Sequence, residues 1–275
     1  MKCRALILQL CLAGAATAGN LDAVRSCHDK ALPPFTPSGR ELLVAIDQTT
    51  PLSPALQQMV ADNIKPFLVP GSSFSIVVFS AYTQGHYTEV LTSGKLDARL
   101  SAEARNDIPK PLLARLDQCL QAQPQQAAQA AGQALRSAYQ GTSGNLAKSD
   151  ILASLKAISG IVRQSPVPDK VVLVVSDMLE NSSVANFYAD HGRAVRSVVA
   201  AKEMRAVEEN HLLADFSGAR AYVIGAGLLT DDNQGRSYRD PKTMQALSAF
   251  WSEYFSKSNA KLVEFGQPAL LNPVR

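Results

Sequence analysis

Two apolar segments, each followed by an aspartate, constrain the fold of this chain most. Residues 42–46 are Leu-Leu-Val-Ala-Ile and are followed by Asp47, and residues 171–175 are Val-Val-Leu-Val-Val and are followed by Ser176-Asp177. An apolar run without polar alternation is typical of a strand buried on both faces, as in a parallel sheet covered by helices. We therefore predict a parallel sheet that carries an aspartate at the carboxyl end of two strands.

Predicted helices alternate with the predicted strands along the rest of the chain. Helical spacing of apolar residues predicts helices over 54–68, 110–139 with a break at Pro124, 149–165, 192–213 and 241–257. Further strands are predicted over 75–80, 87–91, 219–225 and 261–265, and the short gap between the first two of these predicts a hairpin at a sheet edge. This alternation implies an α/β fold with an open, mainly parallel, Rossmann-like sheet and helices on both faces.

The first 18 residues have the features of a secretory signal peptide. Lys2 and Arg4 precede an apolar stretch over 5–15, and Ala16-Thr17-Ala18 is a small-residue cleavage site. About 14 apolar residues are fewer than the roughly 20 that span a bilayer, so we expect a cleaved leader and no stable membrane insertion after cleavage. The expected location is the periplasm or the medium of a bacterium.

The remaining chain is predicted to be nearly neutral and to form one domain. Cleavage lowers the Lys+Arg count from 27 to 25, against 24 acidic residues. Because nucleic-acid binding needs clustered basic residues, nucleic acid is not an expected partner. The Pro-rich composition over 32–39 predicts an extended N-terminal arm over 19–39, and no internal repeat or linker divides residues 40–275.

Two cysteines remain after the expected cleavage. Cys3 and Cys11 leave with the leader, whereas Cys27 and Cys119 stay in the exported chain. An even number of cysteines in an oxidising compartment predicts a disulfide. That disulfide would attach the N-terminal arm to the helix near residues 116–120.

The residues after the two apolar strands predict a candidate cation site. In open α/β sheets, ligands bind beyond the carboxyl ends of the strands, where Asp47 and Asp177 are expected to lie. Thr49 and Thr50 follow the first aspartate, and Ser149 begins a helix, so carboxylate and hydroxyl oxygens for a hard divalent cation are at hand. The alternative is that both aspartates cap helices or accept bonds from backbone amides.

The element order and these residues resemble the von Willebrand factor A (vWA) domain family over nearly all of the exported chain. The metal-ion-dependent adhesion site of that family has an Asp-x-Ser-x-Ser run after the first strand, a distant threonine, and an aspartate after the fourth strand. The resemblance implies metal ligation by Asp47, Thr49 and Asp177, with Ser149 in place of the distant threonine and Thr142 as its competitor. Mg²⁺ is the implied ion, with Mn²⁺ or Ca²⁺ as alternatives.

The sequence departs from the family pattern at two places. Pro51 occupies the second serine position and offers no side-chain oxygen, so Thr50 or Ser53 would have to substitute for it. The Ser-Asp-Gly that the family has after the fourth strand is Ser176-Asp177-Met178 here. The site is therefore expected to be a degenerate version of the family site.

Other chemistries have little support in the sequence. The segment 225–230 lacks the third glycine of a dinucleotide fingerprint, and the acidic segment 231–235 lacks the glutamate that closes an EF-hand. There is no zinc-binding histidine pair and no Gly-x-Ser-x-Gly nucleophile motif.

Three functions are consistent with these sequence features. The first is a non-enzymatic binding module whose cation shell is completed by an acidic side chain of a protein partner. The second is a metal-free vWA-like scaffold or assembly component of a bacterial cell envelope. A metal-dependent phosphoester hydrolase is the third, and it is disfavoured because no general base is visible.

Overall fold

A six-stranded sheet forms the centre of the protein. The structure is a computed structural model that describes residues 21–80, 88–142, 149–190, 193–229 and 240–275. The strands, in spatial order, are β3 (Glu89–Lys95), β2 (Ser72–Phe79), β1 (Arg40–Asp47), β4 (Asp169–Val175), β7 (Ala219–Ile224) and β8 (Ala260–Phe265). Only β3 is antiparallel to its neighbour; the other pairs in this sheet are parallel.

This strand order confirms the predicted fold class. After β1, the next two strands, β2 and β3, are added on one side of β1. The chain then returns to place β4 on the other side of β1, and β7 and β8 follow on that side. That is the order of a doubly wound α/β sheet. The predicted edge hairpin is also present, because β3 pairs with β2 at one end of the sheet.

Helices cover the sheet, and a short ribbon lies beside it. The ribbon consists of β5 (Tyr188–Ala189) and β6 (Ala194–Val195). The helices are α1 (Pro54–Ile64), a 3-10 turn (Lys65–Phe67), α2 (Ala102–Asn106), α3 (Lys110–Gln140), α4 (Ile151–Gln164), α5 (Ala200–Glu209) and α6 (Pro241–Lys257). Within the described ranges, no helix combines the length and apolar character needed to cross a membrane.

Successive side chains of each strand point to opposite faces, and both faces are buried. Leu43 and Ala45 of β1 belong to a hydrophobic cluster with residues of α4, α5 and α6. Leu42 and Val44 belong to a second cluster with residues of α1 and α3. Two-sided burial explains why the strands are uninterrupted apolar runs rather than alternating ones.

The break predicted at Pro124 is wrong, because α3 continues through it. Proline lacks the amide that would bond the carbonyl one turn earlier. The helix continues because both halves are packed: Leu116 and Leu120 lie in a third hydrophobic cluster with the N-terminal arm, and Ala127 and Ala131 lie against the sheet. Tertiary packing therefore outweighs the local cost of the proline.

The prediction of a helix over 192–213 is also wrong for residues 193–199, which are not helical. Residues 194–195 pair with residues 188–189 in the ribbon, and the Arg196 amide donates to the Phe187 carbonyl. The helix itself, α5, covers only Ala200–Glu209. It ends before His211, whose φ of 54° lies in the left-handed region.

The N-terminal arm is attached to the outer half of α3. A disulfide joins Cys27 to Cys119, as the cysteine count predicted. Beside it, one carboxylate oxygen of Asp97 accepts hydrogen bonds from the Cys27 amide at 2.7 Å and from Gln123 Nε2 at 2.8 Å. The arm, the segment after β3 and α3 thus share one buried polar network.

We expect removal of the disulfide to destabilise the protein strongly. The two cysteines are 92 residues apart, and a cross-link over so long a loop restricts the unfolded chain by about 4 to 5 kcal/mol in the loop-entropy description. A Cys27→Ser/Cys119→Ser variant should lose free energy of unfolding of that order in urea denaturation. An unchanged unfolding midpoint would show that the buried polar network holds the arm by itself.

Candidate functional site

The candidate site lies between the carboxyl ends of β1 and β4. Strand order reverses at this pair, which is where ligands bind in open α/β sheets. Ile46 pairs with Val175 across the two strands, so Asp47 and Ser176 follow side by side. Sheet topology therefore brings together residues that are 129 positions apart.

Asp47 is fully buried and accepts hydrogen bonds through both carboxylate oxygens. Its Oδ1 accepts from the Thr49 amide at 2.9 Å and from the Thr49 hydroxyl at 2.6 Å. Its Oδ2 accepts from the Ser176 hydroxyl at 2.8 Å and from the Ser149 hydroxyl at 3.3 Å. Three separate chain segments thus place hydroxyl groups around one carboxylate.

Asp177 is the second buried carboxylate of the site, with 4% of its surface exposed. Its Oδ1 accepts from the Leu179 amide at 2.8 Å, and its Oδ2 accepts from the Tyr188 hydroxyl at 2.7 Å. The Asp177 amide donates to the Thr50 hydroxyl at 3.2 Å, which connects this residue to the end of β1. Each carboxylate oxygen of the two aspartates therefore accepts at least one hydrogen bond.

The structure distinguishes among the hydroxyls that the sequence left open. Ser149 contacts Asp47, whereas the hydroxyl of its competitor Thr142, just beyond the end of α3, donates to the Ala138 carbonyl of that helix at 3.1 Å. Thr50 lies in the site, but Ser53 caps α1 by accepting the Leu56 amide at 3.4 Å. Of the two replacements considered for Pro51, Thr50 is the one in position.

Ser149 is held in place by the segment that follows Asp177. Ser149 and Asn181 exchange two backbone hydrogen bonds, at 3.0 and 3.3 Å. Glu180 accepts the Leu152 amide at 2.9 Å and so caps the start of α4, a task that the side chain of Asp150 at the cap position does not perform. One short segment therefore carries Asp177 and positions Ser149.

A glycine permits the close approach of β4 and β7 at the site. Gly225 has a φ of 105°, and a Cβ atom built on it would lie 2.9 Å from the Ser176 carbonyl oxygen. Two residues later, the Gly227 amide donates to the Asp177 carbonyl at 2.8 Å. Backbone geometry therefore accounts for a glycine at this position.

Burial controls the protonation of the carboxyl groups. It raises the pKa of Asp47, against the lowering effect of the hydrogen bonds from Thr49, Ser176 and Ser149. Burial, followed by the negative charge of Asp47, raises the pKa of Asp177 to about 8. The charge of Asp47 thus makes it harder for Asp177 to ionise, which is the situation that a shared proton or a bound cation relieves.

The donor set fits a hard divalent cation. The hydroxyl oxygens of Thr49, Ser149 and Ser176 lie around Asp47, and oxygen ligands are what Mg²⁺ and Ca²⁺ prefer. Among the described residues, no group of three or more His, Cys, Asp or Glu side chains could hold a metal. A metal here would therefore depend on two carboxylates supplemented by hydroxyls.

Two residues that contact these aspartates were not predicted from the sequence. Ser176 directly precedes Asp177 at the end of an apolar strand, so a hydroxyl at a strand end was an available signal. Tyr188 contacts Asp177 from the ribbon, 11 residues further along the chain. No spacing rule connects it to the strand, because the intervening path is irregular.

Comparisons with known proteins leave the family of this chain open. No protein-family model matches it, and no curated protein matches it. One solved structure with which it aligns is "The crystal structure of an aerotolerance-related membrane protein from Bacteroides fragilis NCTC 9343 with multiple mutations to serines". The alignment covers 82% of this chain and 90% of that chain, with 11% identity and a TM-score of 0.33, values too low to bear on function.

Replacement of Gly225 by alanine should destabilise the site and the fold. The new Cβ would meet the Ser176 carbonyl at 2.9 Å, and a non-glycine residue at positive φ costs about 1 to 3 kcal/mol. We expect a loss of at least that size in urea unfolding of Gly225→Ala. Gly160→Ala is the control, since a Cβ there meets no atom within 4 Å beyond the neighbouring backbone of its own helix; equal stability of the two variants would show that the turn accepts a side chain.

The stability of the protein should fall as the pH rises from about 4.5 to about 8. Burial, with a further contribution from the charge of Asp150, raises the pKa of Glu180 from 4.5 to about 8. The folded protein then holds a proton that the unfolded chain releases within this range, so the free energy of unfolding decreases with pH. Asp177 acts in the same direction.

Glu180→Gln should make this decrease shallower. Urea unfolding at a series of pH values, in the presence of chelator, measures the slope for the original protein and the variant. Glu103→Gln, on an exposed helix turn, should leave the slope between pH 5 and 8 unchanged. The same slope in all three proteins would show that Glu180 ionises as freely in the folded state as in the unfolded chain.

Proposed function

We propose that this chain is an exported, vWA-like protein-binding module that uses a divalent cation at Asp47 and Asp177 to engage an acidic group of a protein partner. The observation that carries the proposal is the convergence of hydroxyls from three chain segments on Asp47, next to a second buried carboxylate. The location at the strand-order reversal of the sheet supports the same conclusion.

The charge of the site supports a cation rather than an anion as its ligand. The charge of Asp47 opposes the ionisation of the buried Asp177, and a divalent ion would compensate both carboxylates at once. The hydrogen-bond donors to their side chains in the described parts of the chain are neutral hydroxyls and amides, which lower the cost of burial without removing the negative charge. The ionised site would therefore carry negative charge that its own hydrogen-bond donors do not neutralise, and a bound cation would neutralise it.

Each candidate ligand has a defined role in this proposal. Asp47 and Asp177 would supply the negative charge, and Thr49 and Ser149 would supply neutral hydroxyl oxygens. A bound Mg²⁺, Mn²⁺ or Ca²⁺ supplies an electrophilic centre whose remaining positions accept an oxygen from outside the protein. A carboxylate of the partner would have the negative charge and the oxygen atoms that suit such a position. This role is binding rather than catalysis, and we assign no catalytic residue.

Calorimetric titration of the chelator-stripped protein with Mg²⁺, Mn²⁺ and Ca²⁺ tests the proposal. We expect saturable binding of at least one ion. This binding should be lost in Asp47→Ala and in Asp177→Ala, because each variant removes one of the two carboxylates that would hold the ion. Asp97→Asn is the matched control: this aspartate is also buried and hydrogen-bonded, but it lies in the network that holds the arm. Its variant should bind the ion as the original protein does.

Absence of binding to the intact protein would favour the second candidate, a metal-free scaffold of a cell-envelope assembly. A specific observation supports that candidate: both oxygens of each aspartate already accept hydrogen bonds. In addition, Pro51 lies exposed at the position where the family has a second hydroxyl. In this second function, Asp47 and Asp177 would serve as structural acceptors, and chelators would not affect partner binding.

A further inference from the structure

Tyr188 lies between the buried carboxylates and the surface. Exposure increases from Asp47, which is fully buried, through Asp177, of which 4% is exposed, to Tyr188, which is only partly buried. The phenol of Tyr188 donates to Oδ2 of Asp177 at 2.7 Å. The tyrosine is therefore the most exposed of these three residues and contacts Asp177 directly.

The backbone beside Tyr188 is firmly anchored. Phe187 is fully buried and packs edge-to-face against Phe250 and Trp251. Its amide donates to the Glu180 carbonyl at 2.8 Å, and the Tyr188 amide donates to Asn186 Oδ1 at 2.8 Å. Any motion that frees Asp177 is therefore a rotation of the Tyr188 side chain, because the main chain is fixed on the core.

Asp177 does not need Tyr188 to define its orientation. Its other carboxylate oxygen accepts the Leu179 amide, its amide donates to Thr50, and its carbonyl accepts the Gly227 amide. These three bonds hold the residue at both its backbone and its side chain. The hydrogen bond from Tyr188 is left with a different effect: it occupies Oδ2, the oxygen of this carboxylate that the Leu179 amide does not use.

We propose that Tyr188 is a gate that competes with the cation for Asp177. In the closed arrangement the phenol satisfies Oδ2 of the carboxylate; in the open arrangement the side chain rotates away and leaves this oxygen free for the cation and its partner. This inference rests on the proposed cation site and adds its regulation. The structure, in which Tyr188 donates to Asp177, then represents the closed, low-affinity state of the module.

The test compares the affinity of the intact chain and of Tyr188→Phe for Mn²⁺, by calorimetry and by the electron paramagnetic resonance signal of free Mn²⁺. The variant keeps the ring and removes only the competing hydroxyl. We expect it to bind Mn²⁺ about tenfold more tightly, since a hydrogen bond to a charged group opposes binding by about this factor. Tyr222→Phe is the matched control, because its hydroxyl contacts Arg275 and its loss should leave the affinity unchanged.

The outcomes separate the gate from the site on which it depends. Tighter binding by Tyr188→Phe, with no change in Tyr222→Phe, supports the gate. Equal or weaker binding by Tyr188→Phe, with clear binding by the intact chain, overturns the gate and leaves the cation site in place. No binding by either protein overturns the cation site and the gate together. Circular dichroism of each variant confirms that the fold is retained.

Discussion

The buried carboxylate of Asp47 is the feature on which the arrangement of the site depends. It stands at the end of a central strand, without exposure to water, and a charge in such a place is costly unless polar groups surround it. Thr49, Ser149 and Ser176 provide these groups from three segments. The loop after β1, the start of α4 and the end of β4 are thus held together by the need to satisfy one side chain.

The segment that follows β4 extends this requirement to the surrounding structure. Asp177 bonds the loop after β1 through Thr50, and Glu180 caps α4 with its own carboxylate. The Met178 carbonyl accepts the indole N–H of Trp251, which ties the same segment to α6. Because this segment contacts both α4 and α6, a substitution of either aspartate is expected to affect the packing of these helices. Variants of the site therefore have to be tested for stability as well as for ligand binding.

The N-terminal arm is organised by different means from the sheet. The sheet is stabilised by apolar side chains on both faces, whereas the arm combines a small apolar cluster with a disulfide and the hydrogen bonds of Asp97 and Gln123. The outer half of α3 joins the arm, and its inner half packs on the sheet. One long helix thus connects the two differently stabilised regions, which accounts for its continuity through Pro124.

The sequence by itself determined the fold class, the two strand-end aspartates and the pairing of Cys27 with Cys119. Uninterrupted apolar runs are typical of strands buried on both faces, and Asp47 and Asp177 follow two such runs. Tertiary structure alone decided that Ser149 rather than Thr142 meets Asp47, that Ser53 caps a helix instead of joining the site, and that Tyr188 covers Asp177. The physical reason is that local patterns report which face of an element is buried, whereas a site joins oxygen atoms whose separation depends on strand order, crossover paths and the packing of irregular segments.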